Sequence, residues 1–142
     1  MRNPEEYTLT ISGHVDNPVD IGYRSLITKF EMKHIVTELY CMPKLTCIGK
    51  FSGPSLYEIV KYSQPKDDAT KVIVIAGDGY EQELSLREIK NHQEDYLLPV
   101  AMNGHPLAVE HGYPVRLALA SRQGSLWVKW IVEIQVVSED AT

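Results

Sequence analysis

Cysteine is scarce in this chain of 142 residues: two are present, one bridge at most, which excludes a small secreted scaffold stapled by disulfides. Long apolar runs are missing as well. No stretch approaches the roughly 18 uninterrupted apolar residues of a membrane helix. The opening Met1-Arg2-Asn3-Pro4-Glu5-Glu6 has no hydrophobic signal core, so the expectation is a soluble, cytoplasmic chain with no membrane contact. Basic charge is in deficit, 14 lysines and arginines against 19 acids for a net −5, a poor basis for neutralising phosphates and an argument against nucleic acid as a partner. Several catalytic signatures are absent too: the Gly-x-x-x-x-Gly-Lys-Ser/Thr loop, Gly-x-Gly-x-x-Gly, His-Glu-x-x-His and the Gly-x-Ser-x-Gly elbow.

What is present is ordinary globular composition, 44% hydrophobic and 23% charged, without repeat, linker or compositional break. One domain over 1–142 with a single core is the expectation. Tyr7 to Gly13 alternates apolar and small polar residues, the period of a half-buried strand. Tyr23 to Phe30, with Leu26, Ile27 and Phe30 grouped, reads as a short helix. His34 to Cys41 is β-branched and aromatic and is stopped by Pro43, which puts Cys41 at a strand end. After Gly53, Leu56, Ile59, Val60 and Ser63 share a helical face, with Pro54 expected in the first helical turn.

Val72 to Ala76 reads as a central strand, Gly77 to Tyr80 as a turn, and Glu81 to Leu84 as the return strand of a hairpin. Ser85-Leu86-Arg87-Glu88 has capping-box spacing, so a short helix should start there and fray by Asn91. The last third reads as strands over Tyr96 to Met102, Val115 to Leu119 and Trp127 to Val137. In the last of these Val128, Trp130, Val132, Ile134 and Val136 alternate toward a core. The fold class expected is α+β, short helices on mixed or antiparallel sheets.

Cys41 and Cys47 have no second Cys or His pair at zinc spacing. From its type alone Cys41 has two readings, a small buried hydrophobe or a thiolate ligating a soft metal. The five histidines, His14, His34, His92, His105 and His111, are scattered and read as loop or surface residues. Arg116 and Lys129 each sit in an otherwise apolar strand beside a glycine-containing loop, a placement suited to an anionic ligand.

The order of motifs resembles the molybdopterin-binding domain of the sulfite oxidase family, from about Tyr7 to Val137. Leu9-Thr10-Ile11-Ser12-Gly13-His14-Val15 with Asn17-Pro18 is similar to the family's opening strand and turn. Val36 to Cys41, followed by Phe51 and Gly53, resembles its cysteine motif, with Phe51 where Trp is usual. Asp78-Gly79-Tyr80, Met102-Asn103-Gly104-His105-Pro106-Leu107 and His111-Gly112-Tyr113-Pro114-Val115-Arg116-Leu117 follow in the family's order. Gly124 with Val128-Lys129-Trp130 and Ile134 resembles the closing motif.

The resemblance implies that Cys41 is both the catalytic cysteine and the molybdenum ligand. It implies that His111, Arg116 and Lys129, with Gly124, Ser125 and the backbone of Trp127 and Val128, hold a molybdenum-molybdopterin cofactor. The chemistry implied is oxygen-atom transfer or a related two-electron reaction on a small-molecule or oxoanion substrate, with a possible redox partner protein. Three departures belong beside it. Leu126 and Trp127 stand where the family has a lysine and a small residue, Met42-Pro43-Lys44 replaces a Trp-Ser pair, and the short opening would leave out an upstream pterin-holding segment. Those departures carry the rival expectation, a non-enzymatic, cofactor-less interaction module that keeps the fold.

Overall fold

Alternation in Thr8–Gly13 buries Leu9 and Ile11 completely and turns the threonines and serine outward, and this first strand, β1, founds the larger sheet. The computed structural model describes residues 7–41, 45–102, 105–106, 118–119 and 131–138, with side chains described except at 37–41, 45–49, 102, 105–106 and 118–119. β2 (Val19–Gly22) returns antiparallel to β1. On the other side of β1 lies the last strand, β11 (Ile131–Val137), in parallel register with Ile11 opposite Ile134. The hairpin β5 (Lys71–Ala76) and β6 (Glu81–Ser85) completes the order β2-β1-β11-β5-β6. β5 is the interior strand expected over 72–76, paired on both sides and burying Val72, Val74 and Ala76, while β11 takes the middle place.

The second sheet is built on a long hairpin, β3 (Lys33–Cys41) and β4 (Leu45–Gly53), extended by β8 (Ala101–Met102) and β9 (His105–Pro106). The pairs β7 (Tyr96–Leu97) and β10 (Ala118–Leu119) form a small third sheet. Three short α-helices attach among the described residues: α1 (Tyr23–Thr28), α2 (Leu56–Tyr62) and α3 (Leu86–Asn91). This is the expected α+β class with mixed and antiparallel sheets. One hydrophobic cluster joins Leu9, Ile11, Phe51, Ile59, Ile89 and Ile134, each fully buried, across both larger sheets and two of the helices.

Local expectations were met where the determinant is local. Ser85 Oγ accepts from Glu88 N at 3.3 Å at the start of α3. The Glu88 carboxylate accepts from the Tyr96 hydroxyl at 3.3 Å. The β5–β6 turn closes with Asp78 Oδ1 accepting from Tyr80 N at 3.1 Å and with Gly79 at φ +94.

Four expectations need correction. Pro54 precedes α2 rather than entering its first turn: Ser55 is the extended N-cap, held by a bridge to Leu97 and by its hydroxyl donating to Gln93 O at 3.3 Å. The strand expected over 96–102 is broken into β7 and β8 around Pro99, which has no N–H for a ladder. In β11 the register shifts between Ile131 and Glu133, so Ile131 is buried while Val132 is only half-buried, and alternation resumes with Ile134 and Val136. Ile27 is 40% exposed and faces away from Leu26, which is the buried residue of α1. Val128 and Trp130 lie outside the described residues.

Candidate functional site

Cys41 ends β3, as the pattern of the segment predicts, and closes a nine-position ladder that runs from Lys33 opposite Gly53 to Cys41 opposite Leu45. The base of this arm is anchored in three ways. Ile35 and Phe51 lie in the core, Phe51 and Ser52 pair with β8, and the His34 ring Nδ1 hydrogen-bonds Ser52 Oγ at 2.7 Å. From Ile35 to Cys41 is six residues of strand, about 20 Å at the usual rise per residue. Phe51, opposite Ile35 and fully buried, therefore fills the core end of the arm and is remote from the Cys41 backbone.

The remaining residues singled out by the resemblance, His111, Arg116, Gly124, Ser125, Trp127, Val128 and Lys129, lie outside the described residues. Their described neighbours in sequence are β10, which starts two residues after Arg116, and β11, which starts two after Lys129. β10 pairs with β7, Leu119 opposite Tyr96 and Ala118 opposite Leu97. Leu97 bridges Ser55, and next to it Leu98 N donates to Pro54 O at 2.9 Å and Val100 N to Ser52 O at 2.8 Å. Gly53 permits this close passage, since a Cβ there would sit 2.2 Å from Leu98 O. The topology thus ties the strand that follows Arg116 to the core end of the Cys41 arm.

A separate polar group gathers where the β1–β2 connection meets the segment after α2. The His14 ring Nε2 hydrogen-bonds the Asp68 carboxylate, and Lys66 Nζ donates to Asp16 Oδ1 at 2.7 Å. The bond from His14 holds the Asp68 carboxyl below its usual range, and the bond to Asp16 holds the Lys66 ammonium above its own. Among the described residues, no group of three or more His, Cys, Asp or Glu side chains could hold a metal ion.

Two open clefts flank α3. One, of about 610 Å³, has mixed lining that includes Lys33, Glu58, His92 and Asp95. The other, of about 830 Å³, lies between α2 and α3 and is bordered by Lys61, Lys66, Arg87 and Lys90. Sequence reasoning missed this second grouping: Arg87 and Lys90 are legible as neighbours at i, i+3 on a helix, but nothing local links them to Lys61 on α2.

Comparison with known proteins places this geometry among relatives. A family model described as the oxidoreductase molybdopterin binding domain matches residues 1–142. Sulfite oxidase of Arabidopsis thaliana is 31% identical over 106 residues, which is 75% of this chain and 25% of that protein. An uncharacterized oxidoreductase of Bacillus subtilis is 26% identical over 95% of this chain and 67% of its own length. The fold of the sulfane dehydrogenase SoxCD from Paracoccus pantotrophus superposes with a TM-score of 0.84 at 19% identity, covering 96% of this chain and 39% of that one. The chain thus spans only about a quarter of the plant sulfite oxidase it matches.

Proposed function

Because the chain belongs to the oxidoreductase molybdopterin-binding domain family, we propose that it binds a molybdenum-molybdopterin cofactor with Cys41 as the metal ligand, and serves oxygen-atom transfer or a related two-electron reaction on a small oxoanion. The observation that carries the reading is a cysteine in register with the family motif, placed at the end of β3. A thiolate is a donor that suits the softer transition metals. Phe51, the bulky residue at the family's tryptophan position, is packed into the core about 20 Å along the arm, so it does not compete for the space beyond Cys41.

In this reading Arg116 and Lys129 donate charge-assisted hydrogen bonds to the pterin phosphate. His111, Gly124, Ser125 and the backbone of Trp127 and Val128 complete the cradle. In a chain of net charge −5, those two cations carry most of the attraction for an anionic cofactor. When bound, the cofactor supplies two-electron exchange coupled to oxygen transfer, and the chain's part is to ligate, orient and screen it. The 142 residues act as one domain, and a separate redox protein exchanges the electrons.

Protein purified from a molybdate-fed, cofactor-competent host should contain molybdenum and yield the fluorescent pterin oxidation product. X-ray absorption of the Cys41→Ser variant should show one sulfur neighbour fewer at the metal. A clean absence of metal and pterin from the wild-type protein overturns the reading. It would leave the cofactor-less interaction module, which Leu126 and Trp127 favour because they remove a cation and add a ring beside Lys129.

A further inference from the structure

Nine lysines and arginines fall among the described residues, and six of them have a polar or charged partner. Lys33 pairs with Glu31, Lys66 with Asp16 and Lys71 with Glu83. Lys29 donates to the Tyr62 hydroxyl at 2.7 Å, and Arg24 and Lys50 are also engaged. The three without a partner are Lys61, Arg87 and Lys90, and all three line the cleft between α2 and α3.

That coincidence runs against the composition. With 19 acids in the chain and a net charge of −5, a surface cation finds an acid easily, yet these three line one cleft with no acid partner. Lys61 and Lys90 sit in the last turns of their helices, where a cation complements the helix dipole. Arg87 is the second residue of α3, where the dipole disfavours it, so helix electrostatics do not account for the group. The cleft floor adds a second property: Tyr57, Ala69 and Leu86 are partly covered apolar residues resting on the core. Asp67 is the acid on the lining.

We propose that the α2–α3 cleft is a docking surface for a partner protein presenting an acidic patch. An apolar floor inside a cationic rim is the anatomy of a protein interface, and unpaired rim charges act mainly by steering encounter and selecting a complementary face. Nucleic acid fits less well, because three free cations neutralise few phosphates while the rest of the chain repels them. The inference does not depend on the cofactor assignment.

The test uses the full chain and a synthetic acidic peptide, Glu-Glu-Leu-Glu-Glu-Leu-Glu-Glu, followed by backbone amide shifts at low and at physiological salt. Shifts should centre on α2, α3 and the segment Pro65 to Thr70, and the affinity should fall as salt rises. Arg87→Gln should weaken binding about two- to fivefold, and the combined Lys61→Gln, Arg87→Gln, Lys90→Gln variant by about tenfold or more. Lys71→Gln, which removes the same charge from a paired site, should leave it unchanged. No binding at low salt, shifts centred elsewhere, or equal losses for Arg87→Gln and Lys71→Gln would overturn the proposal. So would tighter binding of oligothymidylate or of phosphatidylserine vesicles than of the peptide.

Discussion

Gly13 and Gly79 both hold a positive φ and differ in surroundings, which separates two costs of adding a side chain. Both have positive φ, +99 and +94, but a Cβ on Gly13 would lie 2.3 Å from Val136 O while one on Gly79 meets nothing within 4 Å. Gly79→Ala should therefore lose only the left-handed backbone penalty, about 1–2 kcal/mol. Gly13→Ala adds a clash with the β11 backbone and should cost about 3 kcal/mol or more; urea denaturation of the two variants measures the difference. Asp68 offers a pH prediction at the same scale. Its folded carboxyl titrates below the usual range because of the His14 bond, so that contribution to stability is present above the ordinary aspartate range and is lost as pH falls through the folded value. Carboxyl carbon shifts should show the depressed midpoint, and His14→Ala should return it upward. Lys66, raised by Asp16, has the opposite sign: its contribution holds at lower pH and disappears as pH rises through the folded value.

Among the elements, α2 shows how seven residues, too few to be stable as an isolated helix, are held by one face. Leu56, Ile59 and Val60 are fully buried while Glu58 and Lys61 face solvent. Ile59→Ala should cost about 2–5 kcal/mol through lost burial and a cavity, whereas Glu58→Ala should stay within about 0.5 kcal/mol, read from thermal or urea unfolding. The spacing of these apolar residues made the helix legible in the sequence. Its exact start was not, because Ser55 is kept extended by Leu97 and Gln93, partners far along the chain. The same reason separates expectation from outcome in β11, where the shift beside Val132 answers to the ladder with β5; in 96–102 the break is local instead, at Pro99, inside a run whose apolar content looks continuous.

For the whole molecule, the parallel pairing of β1 with β11 joins the two ends of the described chain in one sheet. The core therefore cannot be completed until distant segments meet, a topology of non-local contacts. Charge is also a property of the whole. A net −5 argues against polyanionic partners in general, yet it coexists with a local group of three unpaired cations on one cleft. An anionic cofactor and an acidic partner would thus each depend on a few positions rather than on the mean field.

The sequence by itself determined what nearest neighbours decide: the alternation of β1, the β5–β6 turn, the Ser85 cap, and Cys41 as the end of a strand in a recognisable order of motifs. Arg116 and Lys129 are likewise read from that order. Only the tertiary structure decided that Phe51 faces the core rather than the Cys41 end of its hairpin, that β11 is the central strand, and that Lys61 joins Arg87 and Lys90. Those outcomes depend on which segments touch, and contact between elements far apart in the chain is set by how all their apolar faces are buried together, which no local period encodes.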